Sequence, residues 1–132
     1  MTGTDTTEKI SILIVDDEPC VGDALKLVLE SQGFDVVLAT NGLDGINHAR
    51  NRRFEFGVVD LFLTDISGFQ VITDIRNLQP ALPIVLITAH GSPNVFAQAQ
   101  ELGAIGGLAK PFPPAELLKL IDSHVDRSND TA

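Results

Sequence analysis

Asp16, Asp17 and Glu18 stand in succession where the apolar run "ILIV" ends, and Pro19 follows them. Adjacent like charges repel, so either the cluster is a solvated loop or a cation belongs there. A fourth acid, Asp60, ends the run "FEFGVVD"; Thr88 lies at the end of "PIVLITA", and Lys110 directly follows "AIGGLA". Carboxylate oxygens suit a hard divalent cation such as Mg2+. No cysteine or histidine stands among these acids, so zinc is not the expected ion. A cation held by Asp16, Asp17 and Asp60 would make a centre that attracts anions. A metal, a lysine and a hydroxyl neutralise the oxygens of a phosphoryl group, whose transfer depends mainly on positioning and charge stabilisation. A carboxylate can itself accept that group as an acyl phosphate. Asp60, standing alone, is the better acceptor, and the paired Asp16 and Asp17 the better metal ligands. Glu18 reads as no more than a charge at a helix start, and Pro19 as the first turn of that helix.

Singly, each residue has an ordinary explanation. An Asp after a strand often forms a turn or caps a helix, a Lys-Pro pair is often a solvated turn, and a Thr there often bonds a nearby backbone group. Their appearance after four apolar runs in order is much harder to produce by chance.

Residues so far apart in sequence need a fold to gather them. The runs "ISILIV", "FDVVLA", "FEFGVVD", "PIVLITA" and "AIGGLA" are strand-length, and several are apolar throughout, as in strands covered on both faces. The segments between them have helical spacing. Residues 19–32 put Val21, Leu25, Val28 and Leu29 near one face, with Gly33 as the stop. Leu43, Ile46 and Ala49 form a second stripe, ended by Arg50, Arg52 and Arg53; Phe69, Ile72 and Ile75 form a third, closed by Pro80. "SPNVFAQAQELG" starts with a Ser cap and a Pro, and a fifth segment carries Leu117, Leu120 and Ile121. Strand and helix alternating five times predict an α/β fold, a (βα)5 doubly wound parallel sheet with helices on both faces. In such sheets the site lies at the C-terminal ends of the strands.

The length of 132 residues suits one domain. Residues 1–9 are expected to be a disordered leader without a secretory signal, 10–125 the domain, and 126–132 a flexible tail; the cytoplasm is the expected location. No stretch is apolar enough for a membrane span. The net charge of −9 argues against direct nucleic-acid binding, and the lone Cys20 excludes an intrachain disulfide.

"VDDE", "VVDLFLTDISGFQVI", "IVLITAHG", "LGA" and "KPF", at these spacings, resemble the receiver domain of two-component response regulators. The resemblance implies a flavodoxin-like strand order 2-1-3-4-5 and Asp60 as phosphoacceptor. It further implies Mg2+ on Asp17, Asp60 and the Phe62 carbonyl, with Asp16 helping through water, and Thr88 and Lys110 on the phosphoryl oxygens. A cis Lys110–Pro111 peptide is implied too. A histidine kinase or phosphotransfer protein would donate the phosphoryl group. A downstream protein partner would read the face made by the fourth helix, fifth strand and fifth helix, unless the domain is a relay or a phosphate sink. Such a domain catalyses its own phosphorylation and dephosphorylation and is not a metabolic enzyme.

The chain departs from the family at Thr64, where a Pro is usual, and at Gly107, where an aromatic is usual. Gly106 and Gly107 leave strand five thin, so its outer face is either a shallow hollow on an unusually apolar surface or covered by an inward-packed Phe96. Phe62 and His90 flank the expected phosphoryl site and bear on how water reaches it. Two other readings are a degenerate receiver that binds partners without phosphate, and a haloacid dehalogenase-type aspartyl-phosphate phosphatase. The latter needs a second Asp where Phe62 stands. A nucleotide or flavin binder would need a glycine-rich loop in place of "DDEPCVG".

Overall fold

Each of the five apolar runs forms a strand, and each intervening or following segment a helix. The computed structural model describes residues 9–125. The expected tail lies outside the described residues, as does the expected leader except for Lys9. In chain order the elements are β1 Ser11–Val15, α1 Pro19–Ser31, β2 Asp35–Ala39, α2 Gly42–Asn51, β3 Phe56–Asp60, α3 Gly68–Leu78, β4 Ile84–Thr88, α4 Pro93–Glu101, β5 Gly106–Ala109 and α5 Pro114–His124. The strands pair in parallel in the order β2-β1-β3-β4-β5, as the resemblance implied.

β3 and β4 are buried at every residue, which is why their sequences do not alternate. One core cluster joins Leu13, Val15, Val59 and Leu86 to Ile46 of α2, Ile72 and Ile75 of α3, and Ala99 of α4. The other joins Ile12, Ile14, Val58 and Ile87 to Leu25 and Leu29 of α1 and to Leu117 and Ile121 of α5. Thus α1 and α5 cover one face of the sheet, and α2, α3 and α4 the other. Burial of each such side chain contributes about 1.5–3 kcal/mol, so these two layers dominate the stability of the domain.

Helix ends follow local chemistry. Asn41, Ser67 and Ser92 cap α2, α3 and α4 through their side-chain oxygens, and Pro19 opens α1. Gly33 and Gly103 adopt φ of 94° and 107° just beyond α1 and α4, the left-handed region that favours glycine. Cys20, in the first turn of α1, is exposed.

One expectation is corrected. Leu43 does not join the buried stripe of α2: it is 60% exposed, and Gly42 and Gly45 face inward beside Ile46 and Ala49 instead. Gly45 lies directly against Val15, so close packing there has replaced a large side chain. Over β5 the second of the two alternatives holds at Gly107, while a Cβ at Gly106 would meet nothing within 4 Å. The half-buried ring of Phe96 lies against Gly107, where a Cβ would collide with it, and also against Gly91. The outward residues of α4 are Pro93, Asn94, Ala97, Gln98, Gln100 and Glu101, so that helix presents a mostly polar face.

Candidate phosphoryl-acceptor site

The register of the sheet assembles the site. Val15 pairs with Val59, which sets Asp16 level with Asp60; Asp60 pairs with Ile87, and Thr88 with Ala109, which sets Lys110 beyond them. Lys110 N also donates to Thr88 O at 2.8 Å, and the Lys110–Pro111 peptide is cis. Oxygens of Asp16, Asp17 and Asp60 all lie within 4.8 Å of one another. Asp16, Asp60 and Thr88 are the buried polar or charged side chains among the described residues, and all lie at this one edge. Burying two carboxylates costs several kcal/mol unless charge and hydrogen bonds compensate.

Part of that compensation is Lys110. Its Nζ lies 3.0 Å from Asp60 Oδ2, 3.1 Å from Asp16 Oδ2 and 2.7 Å from Glu18 Oε1. Burial works against the ammonium, but its bonds to Glu18, Asp60 and Asp16 outweigh that and hold its pKa above the ordinary lysine value. Burial pushes the Asp60 carboxyl up from its ordinary value; Lys110 opposes this, and the charge of Asp16 adds to it. Mutual repulsion of the acids is therefore the lesser cause and desolvation the greater. Asp16 Oδ1 accepts from Glu18 N at 2.9 Å, whereas the buried Asp16 Oδ2 has the Lys110 ammonium, 3.1 Å away, as its partner. One ammonium facing three carboxylates leaves negative charge over, and that ammonium is shared among all of them. A hard cation at the shared position of Asp16, Asp17 and Asp60 would offset that charge, and the all-oxygen donor set fits Mg2+.

Glu18 exceeds the role expected for it. It sits at the cap position of α1 without a capping bond, and its side chain goes to Lys110, which lowers its pKa. Thr88 is fully buried and its Oγ1 accepts from His90 N at 3.1 Å. It does not line the cavity of about 390 Å3 bounded by Asp17, Glu18, Asp60, Phe62, Ala89, His90 and Lys110. Phe62 is 59% exposed and meets the His90 ring edge to face, 5.7 Å between centroids and 78° between planes. A larger cleft of about 600 Å3 lies at the opposite, N-terminal edge of the sheet, between Ile10, Phe54, Leu82 and Val125, away from the acids.

The loop after Asp60 is also built. Phe62 bridges Ser67, and Gly68 N donates to Leu61 O at 2.8 Å. At the loop's far end Asp65 accepts from Gly42 N and Leu43 N, both at 2.8 Å, and from Ile66 N at 2.9 Å. Burial opposes the charge of Asp65 slightly, but these backbone donors outweigh it and lower its pKa. Sequence reasoning passed over Asp65; its one visible signal is an acid in a short loop with no helix of its own to cap.

The family model of the response regulator receiver domain matches residues 12–122. The transcriptional regulatory protein CusR of Escherichia coli is 38% identical over 109 residues, which is 83% of this chain and 48% of that protein. The chain spans from 24% to 53% of the length of the curated relatives it matches first. A CheY-like receiver domain protein from Methanospirillum hungatei superposes with a TM-score of 0.87 at 26% identity, covering 95% of this chain and all of that one. A response regulator from Burkholderia pseudomallei, solved with a phosphorylated aspartic acid, a calcium ion and citrate, superposes with a TM-score of 0.81. It is 29% identical, over 93% of this chain and 70% of that one.

Proposed function

We propose that this chain, which belongs to the response regulator receiver domain family, accepts a phosphoryl group on Asp60 in a Mg2+-dependent reaction. The observation that carries this reading is the burial of Asp16 and Asp60 at one sheet edge, with Asp17 beside them and the ammonium of Lys110 3.0 Å from Asp60. The phosphorylated aspartic acid and calcium ion of the similar Burkholderia protein support it.

The donor is the phosphohistidine of a histidine kinase or phosphotransfer protein. An Asp60 carboxylate oxygen attacks phosphorus; the O–P bond forms as the P–N bond breaks, and its electron pair stays on the imidazole, which takes up a proton. Asp16, Asp17 and Asp60 would hold the ion with the Phe62 carbonyl. When bound, Mg2+ supplies positive charge against the phosphoryl oxygens. Lys110 exchanges a carboxylate partner for a phosphoryl oxygen. Thr88, whose oxygen accepts from His90 N, keeps its O–H to donate to the phosphoryl group. The domain turns over no metabolite, and its output is a changed protein-binding surface at α4, β5 and α5.

Incubation with a small-molecule phosphodonor and Mg2+, followed by intact mass, tests this. One phosphate adduct is expected, absent without Mg2+ and absent in Asp60→Ala. No adduct in the native chain, or one that survives in Asp60→Ala, would overturn the reading.

A further inference from the structure

The Asp65 carboxylate ties together two parts of the chain that are distant in sequence, the loop leaving Asp60 and the first turn of α2. Both of its oxygens are used: Oδ1 accepts from Gly42 N and Ile66 N, and Oδ2 from Leu43 N. The loop is therefore fixed at both ends. At its base it is closed by the Phe62–Ser67 bridge and the Gly68-to-Leu61 bond; at its apex it is held on α2. Ile66, next to Asp65, packs so tightly over the start of α2 that a Cβ at Gly42 would run into it. A Thr at position 64 restricts the backbone less than a ring would, so the stiffness of this loop depends on such outside contacts.

We propose that Asp65 is a positioning residue for the cation site. By anchoring residues 61–67 on α2 it holds the Phe62 main chain, and the ring that borders the cavity, in fixed relation to Asp60. This rests on the phosphoryl-acceptor reading above. Groups that hold a metal's ligands in place influence its affinity although they do not touch it.

Mg2+ affinity of the full chain, measured by calorimetry without any phosphodonor, tests this. At about 0.5 M salt the Debye length is about 4 Å, so the mere loss of a remote charge is screened. Asp65→Ala is expected to weaken Mg2+ binding by about tenfold, the low end for supporting groups around a metal, and to speed hydrogen exchange at the Phe62 and Gly68 amides. Asn41→Ala is the comparison. Asn41 caps the same helix through a 2.8 Å bond from Asp44 N, and its side chain makes no hydrogen bond to the loop, so Asn41→Ala is expected to lower stability and leave Mg2+ affinity unchanged. Asp65→Asn, which keeps one acceptor oxygen, is expected to fall between wild type and Asp65→Ala and serves if the alanine variant does not fold.

Equal Mg2+ affinity in wild type and the Asp65 variants would overturn the proposal, as would an equal loss in Asn41→Ala. Failure of the underlying reading looks different: wild type would then bind Mg2+ no better than Asp60→Ala does.

Discussion

At Asp60, burial and the neighbouring charge of Asp16 push the carboxyl toward its neutral form, while Lys110 draws it back. Acceptance of a phosphoryl group needs the carboxylate, so this balance bears directly on reactivity. Asp16 and Asp17 drew notice from sequence as an acid pair before a helix, and Asp60 only through its place in the alternation of strands and helices. Asp65 and the side chain of Glu18 did not stand out. Their roles depend on contacts 23 and 92 residues away, to Gly42 and Lys110, which no local pattern encodes. Phe62 and His90 flank the site as their spacing suggested, and their edge-to-face contact puts an apolar ring at the mouth of the cavity. In the proposed reaction, water that hydrolyses an acyl phosphate on Asp60 would enter the cavity that this pair helps to line. Phe62→Asn, which replaces the ring with a smaller polar group, is expected to shorten the adduct's lifetime severalfold, followed by intact mass over time. An unchanged decay would remove Phe62 from this role.

Among the elements, the alternation of strand and helix was legible because buried parallel strands and amphipathic helices have different periods. The cap residue Ser92, the helix-opening Pro19 and the stop Gly33 were legible for the same local reasons. Leu43 misled, because Gly42 and Gly45 complete the inward face of α2 beside Ile46 and Ala49 and leave Leu43 outside it. At Gly107 the sequence left two alternatives open, and the structure has the second: the missing side chain is replaced by Phe96 from a different element. The ring and the glycine therefore form one packing unit. Phe96→Ala is expected to cost about 2 kcal/mol, less than the 3–5 kcal/mol of a fully buried Phe because this ring is only half-buried. Gly107→Tyr is expected to cost about 1–3 kcal/mol by overpacking. The double variant should be more stable than the sum of the two predicts, with a coupling of about 1 kcal/mol or more in urea denaturation. Strict additivity would show that the two positions do not share space.

For the molecule as a whole, two apolar layers stabilise the fold while the acid edge works against it. The folded pKa of Asp60 is raised above the ordinary 3.8. Its favourable contribution is thus complete only below that ordinary value, when the group is neutral, and is lost as pH rises through the raised folded value. Above that raised value the cation-free domain bears the full cost. Mg2+ at about a hundred times its Kd should add about 2.7 kcal/mol. For a chain of this size that is roughly 10 °C in Tm. The gain should shrink as pH falls toward about 5, where protons compete for the same oxygens. Calorimetric scans with and without Mg2+ at both pH values check this; a gain that is the same at both, or that persists in Asp60→Ala, would contradict the account.

The exposed Cys20 gives this domain a practical property. The chain has no Trp and no Tyr, so it is nearly silent in intrinsic fluorescence. Its single thiol lies open in the first turn of α1, three residues after Asp17. One dye attached there would be chemically unique without any engineered change to the sequence. It would stand beside the acid edge, so that ion binding and phosphoryl transfer could be followed as an optical signal in real time.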